Sequence, residues 1–517
     1  MKKTLSLLLA LLLLLSAAAC GEGKAAPKQL TNAEGLVYIV AENGSAEIVG
    51  YTGKKEKLVI PETLEGHPVT VIAQNAFNSA GFAEVTVPGG IRQIRNGAFA
   101  ACNNLTTVRL AEGLEILGSG AFQSCGKLKS INLPDTLKHI DDRIFSGCRE
   151  LASVTLSPGH PLLEVVDGVL FDRQEKRLIW YPTTKKDETY AVPEGTRIIG
   201  AESFHLPPVT AVTLPDSVEE IRMSAFGSCP YLEKINIPAK ITELDEVFPG
   251  YGEITDIEVS PDNQVFCTRD GVLFDRGKDK LVLFPGGRGD EHYEIPEGTL
   301  AIESGAFIRA KLTEIVIPGS VKEIGADAFF CCEQLASVTI SEGVEELGNR
   351  TFRYCNGLKE IRLPRSLAKV GENPFRECEN LRRIIVDEDH PAFAVMDDAL
   401  VSLEDMQLVW YPMSAERKKY TVPKDVRIIG SGAFYNCGQL TEIILPEGVE
   451  QLKGYVFSDC INLKQIVLPR SLTEISRASF FSGKARTDRI PVTYNVVKGS
   501  YAENFCKAYK LTIKYHK

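Results

Sequence analysis

The sequence contains few features that mark an enzyme, a metal protein or a nucleic-acid binder. Its 13 cysteines form no Cys-x-x-Cys pair and its 7 histidines are scattered, so zinc-ligand spacings are missing. Nucleophile elbows, phosphate-binding glycine loops and metalloprotease helix motifs are missing too. The net charge is −10 without a basic block, which gives no reason to expect nucleic acid. We therefore expect no catalytic residue, no metal and no small-molecule cofactor; an enzyme hidden in the three longer units described below is the alternative.

Long apolar runs are also scarce, and the one that stands out lies at the N-terminus. Two lysines, Lys2 and Lys3, precede the apolar run Leu5–Leu15. This length is typical of a secretory signal rather than of a membrane span, and no other stretch of the sequence is suited to cross a bilayer. We expect residues 1–19 to be a signal peptide and residues 20–34 to form a short polar tether.

The residues that end this signal resemble the lipobox of bacterial lipoproteins. Small residues, Ala17-Ala18-Ala19, stand directly before Cys20. In that class the cysteine is lipidated and becomes the mature N-terminus; the position of Ala17 is usually leucine. The resemblance implies lipidation of Cys20 and an exported chain at the cell membrane or outer surface. Ordinary cleavage after Ala19, which would release a secreted protein, is the alternative.

The rest of the chain is dominated by an internal repeat. The segment LTTVRLAEGLEILGSGAFQSC, Leu105–Cys125, returns as LASVTISEGVEELGNRTFRYC and LTEIILPEGVEQLKGYVFSDC. A phenylalanine marks each copy from Phe77 to Phe480, and most intervals are 22 or 23 residues. In segments such as Leu440–Pro446, apolar residues that point inward alternate with residues that point outward before the proline. This alternation predicts a strand. One unit cannot bury its apolar side alone, so the units must stack into a solenoid.

Three intervals between phenylalanines are longer, at 59 residues each. Each contains one ordinary repeat and one long unit, at about residues 158–193, 261–296 and 388–423. The long units contain DGVLFDRQEKRLIWYP, DGVLFDRGKDKLVLFP and DDALVSLEDMQLVWYP. Two short apolar runs separated by polar turn residues predict a β-hairpin in each long unit.

The units resemble the BspA-type leucine-rich repeat, through the pattern L..I.LP..v..Ig..aF..C over about residues 35–517. The resemblance implies a repeat solenoid: a β-rich horseshoe or rod with parallel strand stacking, three β-hairpin insertions and a short helical C-terminal cap. Residues 35–81 resemble the N-terminal capping unit of the family, residues 82–482 are the repeats, and residues 483–517 resemble the C-terminal cap. Surface binding is also implied, without a named ligand.

Nine cysteines recur three residues after a repeat phenylalanine, and so form a column with one thiol in each unit. They are Cys102, Cys125, Cys148, Cys229, Cys332, Cys355, Cys378, Cys437 and Cys460. A repeat core needs a small buried hydrophobe at such a position, which favours free thiols. Disulfides between neighbouring units are the alternative, because their Cα spacing would permit them.

Several rarer residues have two interpretations each. Trp180 and Trp410 occupy the same place in the first and third hairpins, and we expect Phe284 at that place in the second hairpin. They either pack the hairpin onto the solenoid or form an aromatic platform for a sugar or a protein. His160 and His390 occupy equivalent turns, and we expect a turn role for both.

An Arg-Gly-Asp tripeptide lies in a glycine-rich loop. It consists of Arg288, Gly289 and Asp290, just before a predicted strand. This sequence is the integrin-binding tripeptide of adhesive proteins, so the loop is a candidate adhesive site. A flexible glycine turn without any adhesive role is the alternative.

The outward strand positions change character along the chain. Near the N-terminus they are polar or small, as at Thr86 and Asn132, whereas four later positions are aliphatic. These four candidate ligand-binding residues are Val316, Ile385, Ile444 and Val467. An outward apolar column is what a partner site needs, although β-branched residues suit strands on either face.

Together these features predict a non-catalytic, surface-anchored protein for ligand binding or adhesion. We expect a protein or glycan ligand on host or neighbouring cells, and a membrane contact through the N-terminal lipid. An architectural spacer without a ligand is one alternative. Binding of carbohydrate or host matrix through the hairpin aromatics or the Arg-Gly-Asp loop is another.

Overall fold

The computed structural model describes residues 28–516 except 228, 245–247, 249–252, 278, 483–487 and 490–491. The predicted signal peptide, residues 1–19, and Cys20 lie outside the described residues. The chain divides into two compact units, of which unit 1 comprises Met1–Lys185 with Gly200–Leu206 and unit 2 comprises Lys186–Ile199 with Pro207–Lys517. Within the described residues no helix is both long and apolar enough to span a membrane.

Unit 1 is built from short strands that recur once per repeat. The strands are β1 (Leu30–Thr31), β2 (Leu36–Val40), β3 (Ala46–Tyr51), β4 (Lys57–Val59), β5 (Thr63–Leu64), β6 (His67–Ile72), β7 (Glu84–Val87), β8 (Gln93–Ile94), β9 (Thr107–Leu110), β10 (Ile116–Leu117), β11 (Ser130–Asn132), β12 (His139–Ile140), β13 (Ser153–Thr155), β14 (Leu163–Val166), β15 (Val169–Asp172) and β16 (Arg177–Trp180).

Two parallel ladders run through unit 1. One ladder joins β4, β7, β9, β11 and β13, and the other continues from β3 through β6, β8, β10 and β12. In β7 the buried residues Val85 and Val87 alternate with the half-buried residues Glu84 and Thr86, as expected for a strand with one face on the core. Each repeat therefore supplies one strand to each ladder, and the predicted parallel solenoid is confirmed.

Unit 2 repeats the same pattern over more turns. Its strands are β17 (Thr189–Ala191), β18 (Ile198–Ile199), β19 (Ala211–Thr213), β20 (Glu220–Ile221), β21 (Lys234–Ile237), β22 (Asp256–Val259), β23 (Phe266–Arg269), β24 (Val272–Asp275), β25 (Lys280–Leu283), β26 (His292–Glu294), β27 (Ala301–Ile302), β28 (Glu314–Ile317), β29 (Glu323–Ile324), β30 (Ser337–Ile340), β31 (Glu346–Leu347), β32 (Glu360–Arg362), β33 (Lys369–Val370), β34 (Arg383–Ile385), β35 (Phe393–Met396), β36 (Ala399–Ser402), β37 (Gln407–Trp410), β38 (Lys419–Thr421), β39 (Ile428–Ile429), β40 (Glu442–Ile444), β41 (Gln451–Leu452), β42 (Gln465–Val467), β43 (Glu474–Ile475), β44 (Phe481–Ser482), β45 (Asp488–Arg489), β46 (Thr493–Val497) and β47 (Thr512–His516).

The repeat phenylalanines stack on one another inside each unit. In unit 1 the ring centroids of Phe77 and Phe99 lie 5.0 Å apart, and those of Phe99 and Phe122 lie 5.3 Å apart. In unit 2 Phe329 and Phe352 stack at 5.0 Å. Full burial of such a ring stabilises the fold by roughly 1.5–3 kcal/mol, and each ring is buried only because its neighbours are present.

The three long units form antiparallel insertions, as predicted. In the first, β14 pairs with β15 and β15 pairs with β16; β23–β25 and β35–β37 repeat this arrangement. The first turn places Asp167 at φ 50° and Gly168 at φ 81°, both in the left-handed region that a two-residue hairpin turn requires.

The C-terminal cap is a short helix followed by a last strand, which confirms the predicted helical cap. Helix α1 spans Tyr501–Ala508, and Ser500 caps it by accepting a hydrogen bond from the Glu503 N–H. The Glu503 carboxylate also accepts from the Tyr515 hydroxyl at 2.7 Å, which ties α1 to β47. Hydrogen bonds from the Lys507 ammonium, the Tyr515 hydroxyl and the Gly499 N–H lower the pKa of the Glu503 carboxyl to about 2.

Candidate functional site

The candidate binding face is the outward side of the ladder formed by β38, β40, β42, β46 and β47 in unit 2. Parallel pairing places Thr421 beside Ile444, Ile444 beside Val467, and Val467 beside Asn495. Ile444 and Val467 are half-buried, whereas the adjacent inward residues Ile443 and Ile466 are fully buried. The two aliphatic side chains therefore form a contiguous apolar pair on an outward face.

A polar row lies beside this pair on the same strands. Lys419, Glu442 and Gln465 occupy equivalent positions on β38, β40 and β42. Lys419 forms a salt bridge with Glu442, and this contact holds the pKa of the Glu442 carboxyl below its ordinary value. The candidate face thus combines an apolar pair with a neighbouring polar row that contains a salt bridge.

The other two candidate residues lie in different ladders. Val316 belongs to the ladder of β26, β28 and β30, where it pairs with Thr339. Ile385 belongs to the two-stranded ladder of β32 and β34, opposite Arg362. The structure therefore brings Ile444 and Val467 together but places Val316 and Ile385 in two other sheets. The third insertion separates both residues from the ladder of Ile444, and the parallel pairing also breaks between β30 and β32.

The equivalent positions in unit 1 are polar. Thr86 pairs with Arg109 on β7 and β9, and Asn132 pairs with Thr155 on β11 and β13. The Thr155 hydroxyl donates to the Asn132 side-chain oxygen at 3.1 Å. Asn132 and Thr155 are therefore polar and hydrogen-bonded to each other, and they present no apolar pair.

Salt bridges between successive turns are a feature that sequence reasoning missed. Opposite charges stand at matching positions of neighbouring repeats, 21 to 27 residues apart. Examples are Lys57–Glu84 at 2.7 Å, Lys138–Glu115 at 2.7 Å, Arg197–Glu219 at 2.5 Å, Lys322–Glu345 at 3.1 Å and Arg427–Glu450 at 2.9 Å. Aligning the repeats and comparing charge signs would have revealed them. Each such exposed pair is worth little by itself, but the pairs oppose sliding of one turn against the next.

The Arg-Gly-Asp loop has a structural explanation. The Arg288 Nε lies 2.6 Å from the Asp290 Oδ2, so the two charges of the tripeptide neutralise each other. Arg288 also donates to the backbone oxygen of Asp270 at the tip of the second insertion. In the first insertion the residue at the equivalent place, Lys185, contacts the tip residue Asp167 at 2.8 Å. Arg288 therefore anchors a hairpin tip, which does not favour an adhesive role for the loop.

The hairpin tryptophans are buried, which makes the aromatic-platform interpretation wrong. Trp180 and Trp410 are 3% and 4% exposed, and each meets the edge of a repeat phenylalanine, at 5.7 Å for Phe145 and 6.0 Å for Phe375. They pack the insertion onto the solenoid core.

The expected place of Phe284 is also wrong. Leu273 pairs with Leu283 in the second insertion as Leu170 pairs with Trp180 in the first. Leu283 therefore occupies the tryptophan position. Phe284 occupies the position of Tyr181, one residue later, and is itself buried.

The two equivalent histidines confirm their turn role. His160 is buried, and its Nε2 lies 3.0 Å from the Pro134 oxygen while its Nδ1 accepts from the Leu163 N–H at 3.1 Å. His390 makes the same contacts in the third insertion. In the second insertion Asn263 replaces the ring, since its amide nitrogen donates to the Pro238 oxygen at 2.8 Å and its oxygen accepts from the Phe266 N–H at 2.7 Å.

The thiol column is confirmed, and all twelve described cysteines are free. Seven column thiols donate to the backbone oxygen of the phenylalanine one turn earlier, at 2.9–3.1 Å: Cys102, Cys125, Cys148, Cys332, Cys355, Cys378 and Cys460. Burial raises the pKa of Cys378 and of Cys460 to about 12. Among the described residues, no group of three or more His, Cys, Asp and Glu side chains is arranged to hold a metal ion.

The parallel ladders, the phenylalanine column and the thiol column define a leucine-rich-repeat solenoid. The chain belongs to the BspA-type leucine-rich repeat family, whose repeat region matches it over residues 70–171, 183–268, 290–393 and 413–515. Proteins of this class are typically non-enzymatic and bind other molecules on the extended surface of the repeats. No curated protein sequence matches the chain.

The chain is similar to several solved bacterial structures. A leucine-rich cell surface protein from Faecalibacterium prausnitzii is 23% identical, with 90% of this chain and 98% of that chain covered and a TM-score of 0.43. A leucine-rich repeat protein from Eubacterium ventriosum is 19% identical, with 89% and 95% covered and a TM-score of 0.37. The pneumococcal vaccine antigen PcpA is 17% identical, with 96% and 100% covered and a TM-score of 0.34.

Proposed function

We propose that this protein is an exported, surface-anchored binding protein that catalyses no reaction. Its ligand is a protein or a glycan on host or neighbouring cells, bound on the outward face around Ile444 and Val467. The observation that carries this proposal is the apolar pair itself, on a face whose counterpart at Asn132 and Thr155 is polar and hydrogen-bonded. Contiguous outward apolar residues with a polar, salt-bridged row beside them are the composition that a partner site needs.

The experiment compares two matched double variants of the chain expressed from Gly21 onward. Ile444→Thr with Val467→Thr keeps the β-branched shape of both side chains and removes the apolar surface. Thr86→Val with Asn132→Ser changes the equivalent outward column of unit 1. Each protein is titrated against immobilised matrix proteins, mucin glycans and bacterial surface polymers.

We expect the unit 2 variant to bind at least about tenfold more weakly, because two buried aliphatic contacts are worth more than 1.4 kcal/mol together. The unit 1 variant keeps full affinity. Circular dichroism melting checks that both variants remain folded. Equal loss from both variants, or no loss from the unit 2 variant, would move the binding site away from this face. Absence of binding to every probe by the unmodified chain would favour the architectural spacer.

Anchoring belongs to the same proposal and rests on Cys20. Each buried methylene of a lipid adds about 0.8 kcal/mol of membrane affinity, so two or more acyl chains hold a protein firmly. Cys20→Ser should release the protein into the medium or leave an uncleaved precursor, as fractionation and immunoblotting would show. A variant that stays membrane-bound and fully processed would exclude the lipid anchor.

A further inference from the structure

The outer strand of each insertion lies at the edge of its sheet. The strands β14, β23 and β35 each have one hydrogen-bonded neighbour and one open side. In the third insertion the Leu403 N–H donates to the Ala392 oxygen at 2.8 Å. Antiparallel alternation then directs the Ala394 and Met396 backbone groups toward β36, and those of Phe393 and Val395 toward the open side.

An open strand edge can form hydrogen bonds with a strand of another chain. Two of the three insertions are protected against such pairing. In the first, the Arg173 Nε donates to the Leu163 oxygen at 2.9 Å, and the strand carries the charged residue Glu164. In the second, the Arg276 Nε donates to the Phe266 oxygen at 3.4 Å, and the strand ends in Arg269.

The third insertion lacks both forms of protection. Leu403 stands where the other two have arginine, and β35 is Phe-Ala-Val-Met, without a charge. The Phe393 N–H is taken by the His390 Nδ1 at 3.1 Å, but within the described residues no side chain donates to the Phe393 oxygen. Val395 is 41% exposed. Among the described residues, the third insertion therefore combines an uncharged apolar edge strand with an uncovered Phe393 oxygen, a combination that the first and second insertions lack.

We infer that β35 pairs antiparallel with β35 of a second copy of this chain, with a two-fold axis at Val395. In this register the N–H and oxygen of Val395 bond reciprocally to those of the other Val395. The Phe393 oxygen accepts from the Asp397 N–H of the other copy. A partner strand related by this two-fold axis must have free N–H and oxygen groups at the matching positions, and a second copy of β35 has them.

The charges around the edge permit this pairing. Arg417 binds both acidic residues of the adjacent turn, with its nitrogens 2.7 Å from the Asp397 and the Asp398 carboxylates. Two copies therefore meet without uncompensated acidic turns, although the net charge of the chain is −10. Pairing of one short strand buries little surface, so we expect weak, concentration-dependent association rather than a permanent dimer.

Cross-linking tests the register directly. Residues opposite each other in a hydrogen-bonded antiparallel pair have Cα atoms about 5.5 Å apart, within the range that a disulfide spans. Val395→Cys should therefore form a disulfide-linked dimer under mild oxidation. Val165→Cys, in the protected edge of the first insertion, should cross-link at least about tenfold more slowly, as should the unmodified chain with its own cysteines. Non-reducing electrophoresis and peptide mapping measure both; equal cross-linking of the two variants would overturn the inference.

Sedimentation velocity supplies a second, independent test. In Val395→Pro the lost N–H points to the open side, so no intramolecular hydrogen bond is lost and the melting temperature stays unchanged. The unmodified chain should show a rising average mass between about 1 and 500 µM, and Val395→Pro should remain monomeric. A monomeric unmodified chain at all concentrations would refute self-pairing and leave the edge for an unrelated extended segment. Undiminished association of Val395→Pro would refute it as well.

Discussion

The first and third insertions have the same backbone pairing but are stabilised by different polar groups. In the first, Arg177 is 2% exposed, bonds to the Ile140 oxygen at 2.6 Å and contacts the Asp142 and Asp172 carboxylates. In the third, the neutral Gln407 stands at that place and accepts from Lys453 at 2.5 Å. Both insertions keep the histidine and the tryptophan.

This difference shows which contacts the insertion needs. A buried hydrogen-bonding ring or amide at the turn occurs in all three insertions, whereas the buried arginine occurs in the first only. The shape of the insertion is therefore set by the turn and by apolar packing, and the ionic network is an addition. Once present, however, such a network is costly to break.

Removing Arg177 should have the largest effect. Arg177→Ala leaves Asp142 and Asp172 near the core without their cation, and we expect a loss of about 3–5 kcal/mol. Gln407→Ala should cost less than about 1 kcal/mol. Native-state hydrogen exchange of the β15 and β36 amides measures each insertion separately. Adding Asp142→Asn and Asp172→Asn to Arg177→Ala should restore part of the lost stability. Equal losses from Arg177→Ala and Gln407→Ala would contradict the larger contribution expected of Arg177.

Removing the turn histidine should have the second-largest effect on stability. His390→Ala removes the acceptor of two backbone N–H groups, at Ala392 and Phe393, and we expect a cost of about 3 kcal/mol. His390→Asn should cost about 1 kcal/mol or less, because Asn263 makes the equivalent bonds in the second insertion. Thermal melting and exchange at β35 would show the order; an asparagine variant as unstable as the alanine variant would contradict it.

Exchanging the residue that protects the edge sharpens the comparison further. Leu403→Arg installs in the third insertion the arginine that covers the Leu163 oxygen in the first. We expect several-fold slower cross-linking when it is combined with Val395→Cys. The reciprocal change, Arg173→Leu in the Val165→Cys background, should accelerate cross-linking. If neither rate changes, the arginine is not what distinguishes the two edges.

The smallest effect concerns the hairpin turns. Asp398 stands at φ 70° where the first insertion has Gly168, and a left-handed conformation strains a residue with a side chain. Asp398→Gly also loses an exposed salt bridge with Arg417. We expect a net stabilisation of about 0.5 kcal/mol, and an equal destabilisation from Gly168→Asp. Chemical denaturation followed at each insertion would detect a reversal of these signs.

Periodicity explains what could be predicted from the sequence. The spacing of Phe99 and Phe122 predicts that their rings stack, and the spacing of Ile444 and Val467 predicts that they are neighbours. Contacts across turns could not be predicted this way. The hydrogen bond from the Cys125 thiol to the Phe99 oxygen depends on the path of the backbone between the two ladders, which the repeat pattern does not specify.

The insertions show where matching residues by type fails. Matching by aromatic character aligns Phe284 with the tryptophans, whereas counting back from Pro182 and Pro285 aligns it with Tyr181. Counting forward from the same two prolines aligns Arg288 with Lys185, and so indicates an anchoring role for the arginine of the tripeptide. A linear pattern groups Val316 and Ile385 with Ile444, because it does not show that the third insertion interrupts the parallel pairing before Ile444.

The buried thiol column has a consequence for the chemical lifetime of the protein. A protein exported from the cell, as proposed here, meets oxidants that attack the thiolate rather than the thiol. With a pKa of about 12, roughly one Cys378 or Cys460 side chain in 10⁵ is ionised at pH 7. An exported chain would therefore keep these sulfur atoms reduced without a reducing compartment around them, and would gain from packing the durability that many secreted proteins gain from cross-links.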